Sequence, residues 1–157
     1  MDMKIQEVFN CFSYGIYVVS VKAGNDDNAM IASWVSQCSH EPPLITLAIR
    51  QNRLSHEQIL KAGAFSIGIL PKGTNEFMKR FKISDWKKKF EGISSFRTES
   101  GMLMPEEITG YLDCELAASY KTGDHTLFIG KVLSGKILND LEPMTTKDYS
   151  GCYTGAR

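Results

Sequence analysis

Residues 28–56 read NAMIASWVSQCSHEPPLITLAIRQNRLSH, and the interpretation of this run decides the fold. It leaves a turn, passes through the small and hydroxyl residues Ala29–Ser36, crosses Pro42-Pro43, continues as the apolar strand Leu44–Ile49 and ends at the start of a short helix. Upstream, Tyr14–Lys22 (YGIYVVSVK) is rich in aromatic and β-branched residues, and Gly24 to Asn28 supplies turn residues, so a hairpin into Ala29–Ser36 is expected. Downstream, Ser55-His56-Glu57-Gln58 has the spacing of a capping box, with Ser55 as N-cap, and Gly63 is placed to end that helix in a left-handed conformation.

The remaining periodicities point the same way. Ile5, Val8, Phe9 and Phe12 recur at helical spacing, which predicts an amphipathic helix over Lys4–Cys11 whose apolar face closes one end of a sheet. Phe65, Ile67 and Ile69 alternate with small residues as a half-buried strand, and Thr74 is placed to cap a helix over Asn75–Phe81. Lys79–Lys89 carries six basic residues and one acidic one and reads as a positively charged loop, followed by a weak strand over Ser95–Glu99. Residues 111–120 alternate cleanly, Gly123-Asp124 turns the chain, and His125–Leu138 returns as a long strand. Six or seven strands, few helices and no strand–helix–strand alternation predict a mainly β fold, a closed antiparallel barrel in one domain.

Composition narrows the function. The 157 residues are 43% hydrophobic and 23% charged, with zero formal net charge and a pI near 6.8, so no global field favours nucleic acid or an anionic membrane surface. The apolar runs are strand-sized and Met1–Gln6 has no signal-peptide pattern, so neither membrane insertion nor secretion is expected and the cytoplasm is the default. Cys11, Cys38, Cys114 and Cys152 form no C-x-x-C pair, which gives no thiolate metal site and suggests reduced thiols. Scattered glycines give no dinucleotide fingerprint after a strand, and no nucleophile–base order or carboxylate pair stands out.

The polar groups collected around the organising stretch suit a phosphorylated ring. Ser33, Ser36, Ser39, Ser55 and His56 surround one apolar strand, and the helix start at Ser55 offers free amides to an anion; the alternative is that Ser55 only caps its helix. Trp34 is either a wall for a planar ring or part of a core or interface, and His125 is either a donor to a ligand or a satisfied surface histidine. Cys38 is read as a buried structural thiol, with a redox role as the alternative.

Gly15-Ile16-Tyr17-Val18-Val19, Ala32-Ser33-Trp34, Ser39-x-x-Pro42-Pro43, Phe65-Ser66-Ile67, Leu112–Glu115 and Gly123-Asp124-His125, in this order and spacing, resemble the flavin reductase-like family over residues 8–153. The resemblance implies a six-stranded antiparallel FMN-binding split barrel, a homodimer, and one FMN per subunit near the dimer interface. It places Asn28 and Met30, Ile31, Ala32, Ser33 and Trp34 against the isoalloxazine, largely through backbone groups, Ser36 and Ser39 beside the ribityl and phosphate arm, and Arg50, Asn52, Ser55 and His56 at the phosphate. Lys89 before Phe90 and His125 match family positions that reach the flavin, and Tyr149 or Tyr153 would cover the ring. The implied reaction is hydride transfer from NADH or NADPH to flavin, with electrons passed to free flavin or to a separate acceptor protein. No side chain need be catalytic in that chemistry, because positioning and water exclusion suffice; Cys38 and His125 are the speculative exceptions. The rival readings are a flavoredoxin-like electron carrier, a flavin-dependent ferric reductase helped by Cys38, and a non-catalytic binding module.

Overall fold

The computed structural model describes residues 1–148; Tyr149, Cys152 and Tyr153 lie outside the described residues. Its elements are α1 (Met3–Asn10), β1 (Tyr17–Ala23), β2 (Asp26–Ala32), β3 (Val35–Ser39), β4 (Leu44–Arg50), α2 (Leu54–Ala62), β5 (Ala64–Ile69), α3 (Asn75–Met78), β6 (Ser95–Arg97), β7 (Leu103–Pro105), β8 (Gly110–Thr122) and β9 (His125–Ile137). Seven strands form one antiparallel sheet in the order β2-β1-β5-β8-β9-β4-β3, and β6 pairs with β7 as a small separate hairpin. The class is the expected one, mainly β and antiparallel, with one more strand in the main sheet than the six anticipated.

The sheet is curled but not sealed. Residues from β1, β2, β4, β5, β8 and β9 share one buried cluster that includes Val19, Leu47, Ile49, Phe65 and Phe128, with β3's Val35 packed against it. The two edge strands are consecutive in sequence, so the expected single strand Ala29–Ser36 is broken. At Ser33-Trp34 the chain turns sharply, with the Val35 amide donating to the Ser33 carbonyl at 3.0 Å, and it passes from one edge of the sheet to the other. Gly130 lies deep in this barrel, where a Cβ would sit 2.7 Å from Phe65 Cζ, so only glycine lets β9 approach that ring.

A second apolar cluster lies on the outer face. Ile16, Val18 and Ile31 pack there with Met78, Phe81, Met104, Ile108 and Met144. Strand β1 therefore buries both faces, Val18 outward and Val19 and Val21 inward, which explains why its sequence is a nearly continuous apolar run rather than an alternation. Helix α2 ends at Gly63 (φ 66°) as expected and lays Ser55, His56, Gln58 and Ile59 onto the barrel. Helix α1 behaves differently from expectation: it forms, but none of its residues is buried and Val8 is 63% exposed, so its apolar face does not close the sheet. Thr74 precedes α3 without a side-chain cap and instead donates to the Pro71 carbonyl at 2.8 Å. The basic run 79–89 is built of two 3-10 turns, Lys79–Lys82 and Trp86–Lys88, rather than being an irregular loop throughout. Among the described residues no helix is long and apolar enough to cross a membrane.

One buried carboxylate ties three strands and the small hairpin together. Asp113 on β8 faces Ser66 of β5 and Ser134 of β9 in register, accepts from both hydroxyls, and takes the Ser100 amide at 3.0 Å. Burial pushes its pKa up, but the hydrogen bonds from Ser66, Thr98, Ser100 and Ser134 outweigh burial and hold it below the ordinary aspartate value. Because the folded-state value is depressed, the stabilisation is complete above the unfolded pKa and is lost as pH falls through the folded one. Asp113→Asn should therefore lower stability in urea by about 2–3 kcal/mol at neutral pH, and the gap from wild type should close in acid; a gap that is constant with pH would contradict this role.

Candidate functional site

The free edge of β2 is the structural centre of the site. Ala29 turns its backbone groups away from β1: its amide donates to Asn28 Oδ1 at 2.9 Å and its carbonyl accepts from Lys89 Nζ at 2.6 Å. The β1–β2 register runs without a shift, so Ile31, two residues on, turns its N–H and C=O to the same free side. These two groups form a donor and acceptor pair suited to the edge of a planar heterocycle.

Lys89 stands beside this edge, 8% exposed and with no carboxylate partner among the described residues. Burial first, and then the Arg53 charge, push its pKa down to about 8. The basic run is organised around it: Arg80 donates through Nε to the Lys89 carbonyl and through Nη2 to the Lys88 carbonyl, both at 3.0 Å, and also to the Glu91 carbonyl. A buried ammonium whose neighbour is another cation favours an anion or a carbonyl in the same place.

Helix α2 begins next to that ammonium. Its N-cap is Arg53, not Ser55, and Arg53 makes no side-chain cap, which corrects the capping-box expectation. Ser55 and Gln58, three residues apart, share the buried helix face and together receive the Asn28 amide, at 3.2 Å to Ser55 Oγ and 2.6 Å to Gln58 Oε1. Asn28 is only 1% exposed, and all three of these hydrogen bonds bind it to the scaffold. Its side chain is a clamp between β2 and α2. His56 is likewise a packing residue: its Nε2 lies 2.8 Å from Thr126 Oγ1, its ring is 5.2 Å from Phe128, and burial followed by the Lys121 charge lowers its pKa, so it is neutral near pH 7.

A second group lies at the outer end of β4. Arg50 pairs in register with His125 on β9. His125 Nδ1 is 2.6 Å from Asp124 Oδ1, and Asp124 Oδ2 is 3.9 Å from Arg50 Nε. The Asp124 pKa is held down, chiefly by its hydrogen bond with His125. Trp34, 47% exposed, lays its ring 4.6 Å from the His125 ring and 6.3 Å from Tyr14. The exposed residue Asn52 and Arg53 form the turn that connects this group to the α2 start and Lys89.

Other expected contacts separate. Ser36 and Ser39 lie on β3, opposite Thr46 and Leu44, and Leu44 is at the far end of β4 from Arg50, about 20 Å away. Within one chain, Ser39 and Arg50 therefore cannot hold the same phosphate. Ser36 Oγ turns back onto the Gln37 carbonyl at 3.1 Å. Cys38 is exposed rather than buried. Met30 and Ala32 pack toward the barrel interior, and Ser33 is buried at the corner. Arg53 and Arg80 are positioning residues the sequence did not assign to the site; Asp124 was read only as part of a turn and motif, and the spacing of Ser55 and Gln58 was a true signal of a shared face, read as a cap.

Comparison with known proteins follows this geometry. A family model described as Flavin reductase like domain matches residues 9–155. The Ferric-chelate reductase (NAD(P)H) of Archaeoglobus fulgidus is 28% identical over 91% of this chain and 87% of its own length. The High molecular weight rubredoxin of Moorella thermoacetica is 30% identical over 95% of this chain. The chain spans 66% of that rubredoxin and 24% of the Diflavin flavoprotein A 1 of Synechocystis, which it also matches. Among solved structures, the NADH:FAD oxidoreductase SgcE6 of Streptomyces globisporus superposes with a TM-score of 0.84 at 24% identity, covering 91% of this chain and 87% of that one, and so shows the same fold.

The Lys89 environment makes a pH prediction independent of any ligand. Between about pH 8 and the ordinary lysine value the unfolded chain holds more protons than the folded one, so stability should rise with pH across that window. The rise should reach roughly 2–3 kcal/mol and should be missing in Lys89→Met. Urea unfolding of both proteins at neutral and alkaline pH checks this, and parallel curves would contradict it.

Proposed function

This chain belongs to the flavin reductase-like family, and on that premise we propose that it is an FMN-binding oxidoreductase that passes electrons from NADH or NADPH through flavin to free flavin or a separate acceptor protein. The observation that carries the reading is the buried Lys89 ammonium beside the unpaired edge of β2. The isoalloxazine has a polar pyrimidine edge of alternating donors and acceptors that becomes more negative on reduction, and these groups match it.

In this reading Lys89 and the Ile31 backbone hold the polar edge of the ring. Arg50 and Arg53, with the first amides of α2 between them, hold the phosphate. Trp34 and the Asp124-oriented His125 line the outer approach, where His125 keeps Nδ1 on Asp124 and leaves Nε2 for a ligand carbonyl or amide. When bound, FMN would supply the hydride-accepting centre, and these residues would bind and orient it. Ser39 is too far from this phosphate position within one subunit, and the Ser36 hydroxyl and the His56 ring are engaged elsewhere.

A homodimer fits the surface. The half-exposed rings of Phe9, Phe12 and Trp34 lie in a contiguous series with Tyr14, next to the exposed Ile5 and Val8 on α1. A monomer rarely exposes such a continuous apolar strip, and a second copy of the chain would bury it. The free thiols Cys11, Cys38 and Cys114 fit a reducing cytoplasm. The Archaeoglobus relative, a ferric-chelate reductase, favours ferric iron as a further acceptor.

The test is an anaerobic visible spectrum of the protein with FMN, before and after NADH or NADPH. Bound flavin that bleaches establishes the reductase; bound flavin that only dithionite reduces makes the protein an electron carrier; no flavin binding overturns the reading. For the phosphate, Arg50→Ala should weaken FMN about tenfold while leaving riboflavin nearly unchanged, and an equal loss for both would remove Arg50 from the phosphate.

A further inference from the structure

The Lys89 ammonium is only as well placed as the main chain that carries it, and that main chain belongs to a short turn near the surface. Lys89 closes the 3-10 turn Trp86–Lys88, with its amide 3.3 Å from the Trp86 carbonyl. The last carbonyls of a helical turn have no partner inside it and must find one elsewhere. Here the carbonyls of Lys88, Lys89 and Glu91 converge on one side chain, the partly buried guanidinium of Arg80. Nε donates to the Lys89 carbonyl at 3.0 Å, and Nη2 donates to the Lys88 carbonyl at 3.0 Å and to the Glu91 carbonyl. A planar fork of N–H donors can serve three carbonyls in fixed directions, which the point charge of a lysine does not reproduce.

Other contacts touch the same turn, and their settings separate them from Arg80. Lys87 meets Asp26 at 3.1 Å and Lys88 meets Asp85 at 3.5 Å, but these four side chains are all about half-exposed, where water screens an ion pair to little net effect. The Phe81 and Phe90 rings, 5.7 Å apart, pack the same two segments together but place no donor at the carbonyls. The anchor matters because the ammonium sits uphill. Burial and the Arg53 charge both disfavour it, and no carboxylate among the described residues holds it, so a lysine with a loose main chain would swing its head group into water. Lys89 is held at both ends instead: the Ala29 carbonyl takes its ammonium at 2.6 Å and Arg80 takes its main chain.

We propose that Arg80 is a positioning residue for the flavin: by pinning the main chain at residues 88–91 it keeps the Lys89 ammonium at the β2 edge, and so sets how much more tightly the site holds reduced than oxidised FMN. Arg80 acts through Lys89, and the larger effect falls on the reduced ring because its polar edge is the more negative one. The flavin half of this proposal rests on the reading above, whereas the link from Arg80 to Lys89 does not.

The test is a double-mutant cycle on the full chain, with affinity measured for oxidised FMN and, under dithionite, for reduced FMN. Arg80→Gln removes charge and fork, Arg80→Lys keeps the charge and loses the fork, and each is made in wild type and in Lys89→Met; Lys87→Ala, which removes an exposed contact of the same turn, is the control. Both Arg80 variants should weaken oxidised FMN about threefold and reduced FMN about tenfold or more. In Lys89→Met neither should change either affinity further, and Lys87→Ala should stay near wild type. Equal losses with and without Lys89, equal losses for the two redox states, full rescue by Arg80→Lys, or a matching loss in Lys87→Ala overturns the proposal. Urea unfolding supplies an arm without flavin: the alkaline rise in stability produced by Lys89, on which Arg53 is the acting charge, should flatten in Arg80→Gln, and a rise that persists unchanged breaks the link between the two residues. Wild type that binds no FMN sinks the flavin reading, and the alkaline arm then decides whether Arg80 places Lys89.

Discussion

The backbone of β2 has a partner on only one side, and much of the site follows from how its other side is satisfied. A sheet that curls without sealing leaves two edges, and an unsatisfied edge inside a protein is costly. Here the solution is local and made of side chains: Asn28 turns its carbonyl onto the Ala29 amide, and Lys89 reaches the Ala29 carbonyl. The cover stops at that point, so Ile31 keeps a donor and an acceptor facing outward. The incomplete closure of the barrel creates the recognition surface, and the two 3-10 turns of the basic run decide how much of it remains open.

The same edge is locked from the inside. Asn28 holds Ser55 and Gln58 with one amide group, so the position of α2 relative to β2 is set by a buried polar contact rather than by apolar packing alone. Helix α2 then has three consequences at once. Its start brings Arg53 close enough to depress the Lys89 pKa, its buried face closes the barrel through Ile59 and His56, and its outer side forms one wall of a surface cleft lined by Trp86. A rigid base of this kind suits chemistry in which the protein positions a ring and excludes water.

The opposite face follows a different logic. Trp34, Tyr14, Phe12 and Phe9 remain half-exposed, and α1 contributes apolar side chains to that surface without burying any. The Ser33-Trp34 corner is where these regions meet, because the chain must leave β2 and reach β3 on the other sheet edge. Sharp turning at the corner places Trp34 outside the barrel and against His125, while Ala32 two residues earlier stays inside.

Local patterns in the sequence determined most of the strands, though not the break between β2 and β3 or the short β7, together with the Gly24 and Gly123-Asp124 turns, the left-handed stop at Gly63 and the class of fold, because alternation and turn chemistry depend on neighbours a few residues apart. They also marked Trp34 and His125 as groups worth following, whereas Lys89 and Arg50 came from the family resemblance. Tertiary structure alone decided what each group does. Ser55 is a poor cap but a good acceptor because Asn28, 27 positions away in the chain, arrives beside it. His56 is packing because Thr126 and Phe128 surround it, and Ser39 is remote from Arg50 because β3 runs back along β4 toward its far end. The ammonium of Lys89 is special only because folding buries it against a strand edge 60 residues earlier in the chain. Periodicity carries information about faces, but burial, charge environment and the meeting of distant residues exist only once the chain has closed on itself.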